Sequence, residues 1–183
     1  MKNLIILILL ILSMQVMAQS SIEVTAGAGA TAIDLDKLVA EDDPASSTTL
    51  NNWDTFSAGL SVQGIFTDKE NFNLGAEVMY HYLYYYETRD FFFPSPIFRE
   101  YYVETYRLAG FVRIGNQDGF HIDAGPSINI SDGVGLGVLL SLNYAIAVTD
   151  KISIPLKLRS DIMGLTVLTV PITANVGVRV NLK

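Results

Sequence analysis

The side chains best equipped for chemistry in this 183-residue chain are two histidines and the ionised residues near them. His81 stands four positions from Glu77, and His121 stands two from Asp123. An imidazole beside a carboxylate is half of a Ser/His/acid hydrolase, which still requires a serine within hydrogen-bond reach. Inside a closed interior the same imidazole is one member of a buried polar network. Around these pairs the sequence offers Glu23 and Asp161 as further acids, and Arg107, Arg113, Lys157, Arg159 and Arg179 as bases. With no cysteine there is no disulfide framework, thiol nucleophile or thiolate metal site. Twelve Lys plus Arg against 19 Asp plus Glu give a net charge of −7, which leaves no basic footprint for nucleic acid. A composition that is 50% hydrophobic and 17% charged excludes disorder and suits one modest domain.

Whether those residues meet depends on the elements that carry them. Beyond Gln19 no sustained helical stripe occurs, whereas period-two alternation between turn residues recurs along the whole chain. The pattern predicts eight strands, at 20–33, 55–66, 72–86, 101–115, 120–130, 134–148, 152–160 and 166–182. Tight turns at 67–71, 116–119 and 149–151 fall on one end, and long loops at 34–54 and 87–100 on the other, joined there by short connections at 131–133 and 161–165. Short turns at one end and longer loops at the other are the outer-membrane arrangement. The expected fold is all-β, an eight-stranded antiparallel up-and-down transmembrane barrel.

The two faces of the strands decide the solvent. In the last strand Leu168, Val170, Ile172, Ala174, Val176, Val178, Val180 and Leu182 form one face, against Thr169, Pro171, Thr173, Asn175, Gly177, Arg179 and Asn181. The sixth repeats this, with Val134 to Val148 at even positions against mostly Gly, Ser, Asn and Ala. A soluble sheet shows water long charged side chains, while small polar ones suit the interior of a narrow barrel, so the apolar face is assigned to lipid. Aromatics form two girdles, Phe66, Phe72 and Phe120 beside the tight turns, and Phe56, Tyr80, Tyr82, Tyr84, Tyr102 and Tyr106 toward the loops. A soluble secreted β protein is the third-ranked alternative.

The first eighteen residues read as an export signal: Lys2, an unbroken apolar run from Leu4 to Leu12, and Val16-Met17-Ala18 at the cleavage site. Nine apolar residues are too few for a membrane-spanning helix, which needs about 20. The expected organisation is a signal peptide at 1–18 and a barrel at 19–183, with no lipid-bearing cysteine and no appended domain to tether peptidoglycan.

The chain resembles the Bacteroidota-type outer-membrane barrels, the PorT-like and OmpA/OmpX-like small barrels. The residues that carry the likeness are Ala18-Gln19 at the signal's end, Ala26-Gly27-Ala28-Gly29-Ala30, Asn73-Leu74-Gly75-Ala76-Glu77, and the closing Gly177-Val178-Arg179-Val180-Asn181-Leu182. The resemblance spans the mature chain and implies an outer-membrane location, outer-membrane lipid as the surround, and the barrel-assembly machinery as a partner during insertion.

In so narrow a barrel Glu23, Glu77, His81, Arg107, Arg113, Asp123, Lys157, Arg159, Asp161 and Arg179 must pair within the lumen, which predicts a plug and not a solute path. No catalytic residue is assigned, and no cofactor. The loop-end acids number eleven against Lys37, Arg89 and Arg99 (3 − 11 = −8), but their spacing lacks a calcium-loop pattern, so no metal site is expected. Pro155 and Pro171 fall on neighbouring strands at an expected common height, where a lateral gap admitting a lipid tail is the sharper alternative to tolerated bulges. From Tyr80 to Tyr102 eleven of 23 residues are aromatic, and Phe91, Phe92 and Phe93 exceed what a girdle needs. Those three, with Trp53, are the surface-interaction candidates. The expected function is a non-enzymatic structural or surface-interaction protein acting through the loops after the first and third strands. The alternative is a lipid-binding or lipid-modifying barrel. The sequence names no surface ligand or protein partner.

Overall fold

Alternating apolar and small polar residues can bury neither face alone, and the chain resolves this by rolling one sheet into a closed wall. The computed structural model describes residues 21–33, 56–67, 69–89, 97–131, 133–164 and 168–182. The strands are β1 (Ser21–Ile33), β2 (Phe56–Ile65), β3 (Phe72–Arg89), β4 (Ile97–Gly115), β5 (Phe120–Ile130), β6 (Val134–Ala147), β7 (Ile152–Gly164) and β8 (Leu168–Asn181). Each pairs antiparallel with its sequence neighbours, and β8 returns to β1 from Ser21↔Asn181 to Ile33↔Thr169. Closure leaves no open sheet edge, so the ladder satisfies backbone groups that hydrocarbon could not.

Burial separates the faces as the alternation requires. On β8 Ile172, Val176 and Val178 are 52%, 54% and 50% exposed, while Thr173 and Arg179, each next to one of them in the chain, are 1% and 0% exposed. Tight turns set the register at one end. In the β4–β5 turn the Asn116 carbonyl accepts from Gly119 N–H at 3.1 Å, and Gly115, at φ +113°, occupies the left-handed region that favours glycine. Gly75 has a different reason. A Cβ there would lie 2.3 Å from the Phe111 ring, so the missing side chain makes room for an aromatic inside the barrel.

Three features depart from the sequence reading. The expected loop at 87–100 is shorter, because β3 and β4 continue pairing through Glu87↔Arg99 and Arg89↔Ile97. Aromatic and β-branched residues there favour extended backbone even where their alternation fails. The connection expected to begin at Asp161 starts later, since β7 runs on to Gly164 and Asp161 faces the lumen as a buried residue. The prolines do not share a height. The register Leu156↔Val176 places Pro155 level with Gly177, six positions from Pro171 (177 − 171) and about 20 Å at about 3.3 Å per residue. The export signal at 1–18, the loop at 34–54 with Trp53, and Phe91, Phe92 and Phe93 lie outside the described residues.

Candidate functional site: the lumen charge network

Nine charged side chains, Glu23, Glu77, Arg107, Arg113, Asp123, Lys157, Arg159, Asp161 and Arg179, are each at most 3% exposed. Pleat parity puts them there, because each occupies the register that alternates with outward-facing residues. The partners come mainly from strands distant in sequence. Arg159 clamps Glu77 with two parallel bonds, NH1 to Oε1 at 2.6 Å and NH2 to Oε2 at 2.9 Å, across 82 positions of chain. Its Nε turns to Asp161 Oδ2 at 2.8 Å. Arg107 joins the same two acids, reaching Glu77 Oε1 at 3.3 Å and pairing with Asp161. A second cluster lies nearer the tight turns. There Arg113 forks onto Asp123 at 2.7 and 2.8 Å and reaches Glu23 at 3.7 Å, while Lys157 pairs with Glu23. Two-pronged guanidinium–carboxylate bonds are the geometry in which burying both charges is best compensated.

Gln63, which the sequence reading passed over, joins the two clusters. Its Nε2 donates to Glu77 Oε2 at 3.0 Å, and its Oε1 accepts from Lys157 Nζ at 2.6 Å and from Arg113 NH2 at 3.3 Å. Its neutrality concealed it, yet the ladder sets it directly between Glu23 and Glu77. The cross-barrel contacts therefore form one connected path.

Among the described residues four buried acids and five buried bases leave one positive charge (5 − 4 = +1). That charge is Arg179, and its answer also escaped the sequence reading. Arg179 donates to the Gln117 carbonyl and lies 3.5 Å from Asp118, both in the β4–β5 turn, while its Nε donates to Ser153 Oγ at 2.9 Å. The turn is thus tied to β8 at the tight-turn end of the lumen. The signal available in sequence was the surplus base itself, which calls for an acid from that end.

The histidines lie at opposite ends of the network. His121 Nδ1 is 3.1 Å from the Gly119 carbonyl, in the tied turn. His81 is fully buried, and neither of its ring nitrogens has a hydrogen-bond partner among the described residues. Thr105, its cross-strand neighbour, and Asn129 on β5 have unpartnered polar atoms as well. Met79 and Leu83, which flank His81 on the inner face of β3, are buried too. Among the described side chains the ion pairs therefore occupy the turn end and middle of the lumen, and uncharged groups lie toward its loop end.

No protein-family model matches the chain, and no curated protein matches its sequence. Among solved structures it is similar to Neisserial surface protein A, with a TM-score of 0.57 and 14% identity over 88% of this chain and 96% of that one. At that identity the likeness is one of fold, a closed eight-stranded antiparallel barrel.

Proposed function

We propose that this protein is a non-enzymatic outer-membrane barrel whose lumen is plugged by its own ion pairs, and that it works through its outer loops as a structural or surface-interaction protein. The observation that carries the reading is the outer wall. Leu136, Val138, Leu140, Leu142, Ile172, Val176 and Val178 are all between 44% and 76% exposed on a sheet that has no free edge. Water would penalise that surface heavily, whereas a bilayer is its natural solvent. The fold likeness to a surface protein and the export signal support the location, and the Gly- and Ala-rich first strand supports kinship with the Bacteroidota-type small barrels. On this reading the surrounding partner is outer-membrane lipid, with the barrel-assembly machinery engaged during insertion.

The plugged lumen is supported by the connected path from Asp123 through Arg113, Gln63 and Glu77 to Asp161. Reconstitution into planar bilayers tests it. Negligible conductance is expected, and large steady unitary currents would remove the plug. Phe91, Phe92, Phe93 and Trp53 are the proposed contact residues of the loops. Replacing the three phenylalanines with serine should abolish capture of an envelope partner while leaving the melting temperature near its original value. Unchanged capture with lost stability would make the cluster a packing element.

A further inference from the structure

The bilayer-facing wall carries one charged residue among the side chains described. Glu104, on β4, is exposed and shares its face with Tyr102 and Tyr106. Its cross-strand partner on β3 is Tyr82, flanked by Tyr80 opposite Tyr106 and Tyr84 opposite Tyr102. Five tyrosines therefore surround one carboxylate in three successive cross-strand rows. Tyr82 and Tyr102 stack with centroids 6.3 Å apart and planes 13° from parallel, and Tyr80 lies 5.5 Å from Tyr106. Tyr80 lies one cross-strand row from Glu104, diagonal to it across the β3–β4 pair. Beyond Tyr82 the next residue in the row is Ala58, which leaves the pair open on its β2 side between Phe56 and Leu60.

Depth follows from the strand. Phe72↔Ile114 marks the turn-end girdle, and Glu104 lies ten residues farther along β4 (114 − 104). That is about the length a tilted strand needs to cross the hydrocarbon, so Glu104 stands at the level of the outer headgroups. The lumen bases all point inward, and Lys69 and Lys151 belong to turns at the opposite end. Among the bases whose side chains are described, none therefore lies beside Glu104. Ring faces carry negative quadrupoles, which attract cations and repel anions, and cages of such rings bind organic ammonium groups.

We infer that Glu104 with Tyr80, Tyr82, Tyr102 and Tyr106 forms a surface site for the ammonium headgroup of a membrane lipid. The carboxylate supplies the counter-charge and the rings enclose the cation's apolar flank. This rests on the bilayer reading above, since only there is an exposed carboxylate among five tyrosines offered a lipid headgroup.

The test is native mass spectrometry of the folded protein released from micelles that contain equal amounts of dioleoyl phosphatidylethanolamine and dioleoyl phosphatidylglycerol. Retained lipid should be enriched roughly fivefold in phosphatidylethanolamine, as a partly desolvated cation–π and ion-pair contact implies. Glu104→Gln should bring the ratio close to one, and so should Tyr82→Leu combined with Tyr102→Leu. The double variant keeps the carboxylate, so a preference that survives it belongs to plain repulsion of phosphatidylglycerol and overturns the cage. A preference that survives Glu104→Gln, or one that appears only with added magnesium, overturns the ammonium site. Failure of the wild-type protein to insert into vesicles would overturn the bilayer reading itself, a separate outcome from either ratio.

Discussion

The two faces of this sheet handle charge in opposite ways. Among the described residues the inner face holds nine ionisable side chains, each at most 3% exposed, and matches them by cross-barrel pairing and the Asp118 turn. The outer face carries a single described charge, Glu104, toward the loop end of β4, and is otherwise mostly apolar or aromatic. The same pleat makes both, so shifting a strand by one residue would exchange them. Charge is tolerated in this molecule only where a counter-charge or water can reach it.

The strongest way to break that contrast is to unpair the inner face. Glu77 is gripped by both Arg159 and Arg107, so Glu77→Ala leaves two guanidinium groups sharing Asp161 in a dry interior. Losing one partner of a buried pair costs about 3–5 kcal/mol. Urea titration of vesicle-reconstituted barrels should show that loss. A change under about 1 kcal/mol would mean that water reaches the lumen and screens its charges.

A charge placed on the outer face is the complementary test. Val138 lies between Leu136 and Leu140 on β6, is 48% exposed, and stands opposite Pro126 and Ile162. Val138→Arg should cost about 2–4 kcal/mol near the bilayer midplane. Arginine tolerated there in the same titration would reverse the assignment of faces.

How far the sequence carried this picture depends on locality. Strand positions and the face of each charged residue followed from alternation, a property of neighbours in the chain, so Glu77 and Arg159 were legible as inward-facing. That they grip each other was not, because the contact crosses the barrel between residues 82 positions apart. Gln63 was overlooked for want of a charge, and Asp118 because alternation assigns faces to strand residues and is silent on a turn. The ends of β3 and β4 were placed too short where Tyr85, Tyr86 and Glu87 interrupt the alternation that long-range pairing sustains. The prolines were misplaced for a similar reason, since the β7–β8 register is set by the ladder rather than by the connection between the strands.

A smaller effect is expected where the inner face meets a turn. Arg179 holds the β4–β5 turn through the Gln117 carbonyl and Asp118, whose side chain is 58% exposed and already solvated. Arg179→Gln removes the surplus base without stranding a buried acid, so it should cost only about 1 kcal/mol. Hydrogen exchange at 116–119 should quicken while the rest of β4 and β5 stays protected. Uniform quickening across the barrel would show that Arg179 supports the whole plug.

The smallest change, and the sharpest on the loop end of the lumen, is His81→Leu. The ring is fully buried beside Gly59, yet neither nitrogen has a partner among the described residues. A buried polar group left unmatched costs free energy, and exchanging it for an apolar group of similar shape is close to neutral or stabilising. Leucine at this position fills the buried space beside Gly59 and removes two unmatched nitrogens, so stability should hold or rise by up to about 1 kcal/mol. The same substitution in the turn-end half, where side chains form one connected network, would be damaging. A loss of several kcal/mol in the urea titration would reveal a partner for the imidazole beyond the described residues, and would extend the inner face's rule of matched polar groups to its loop end.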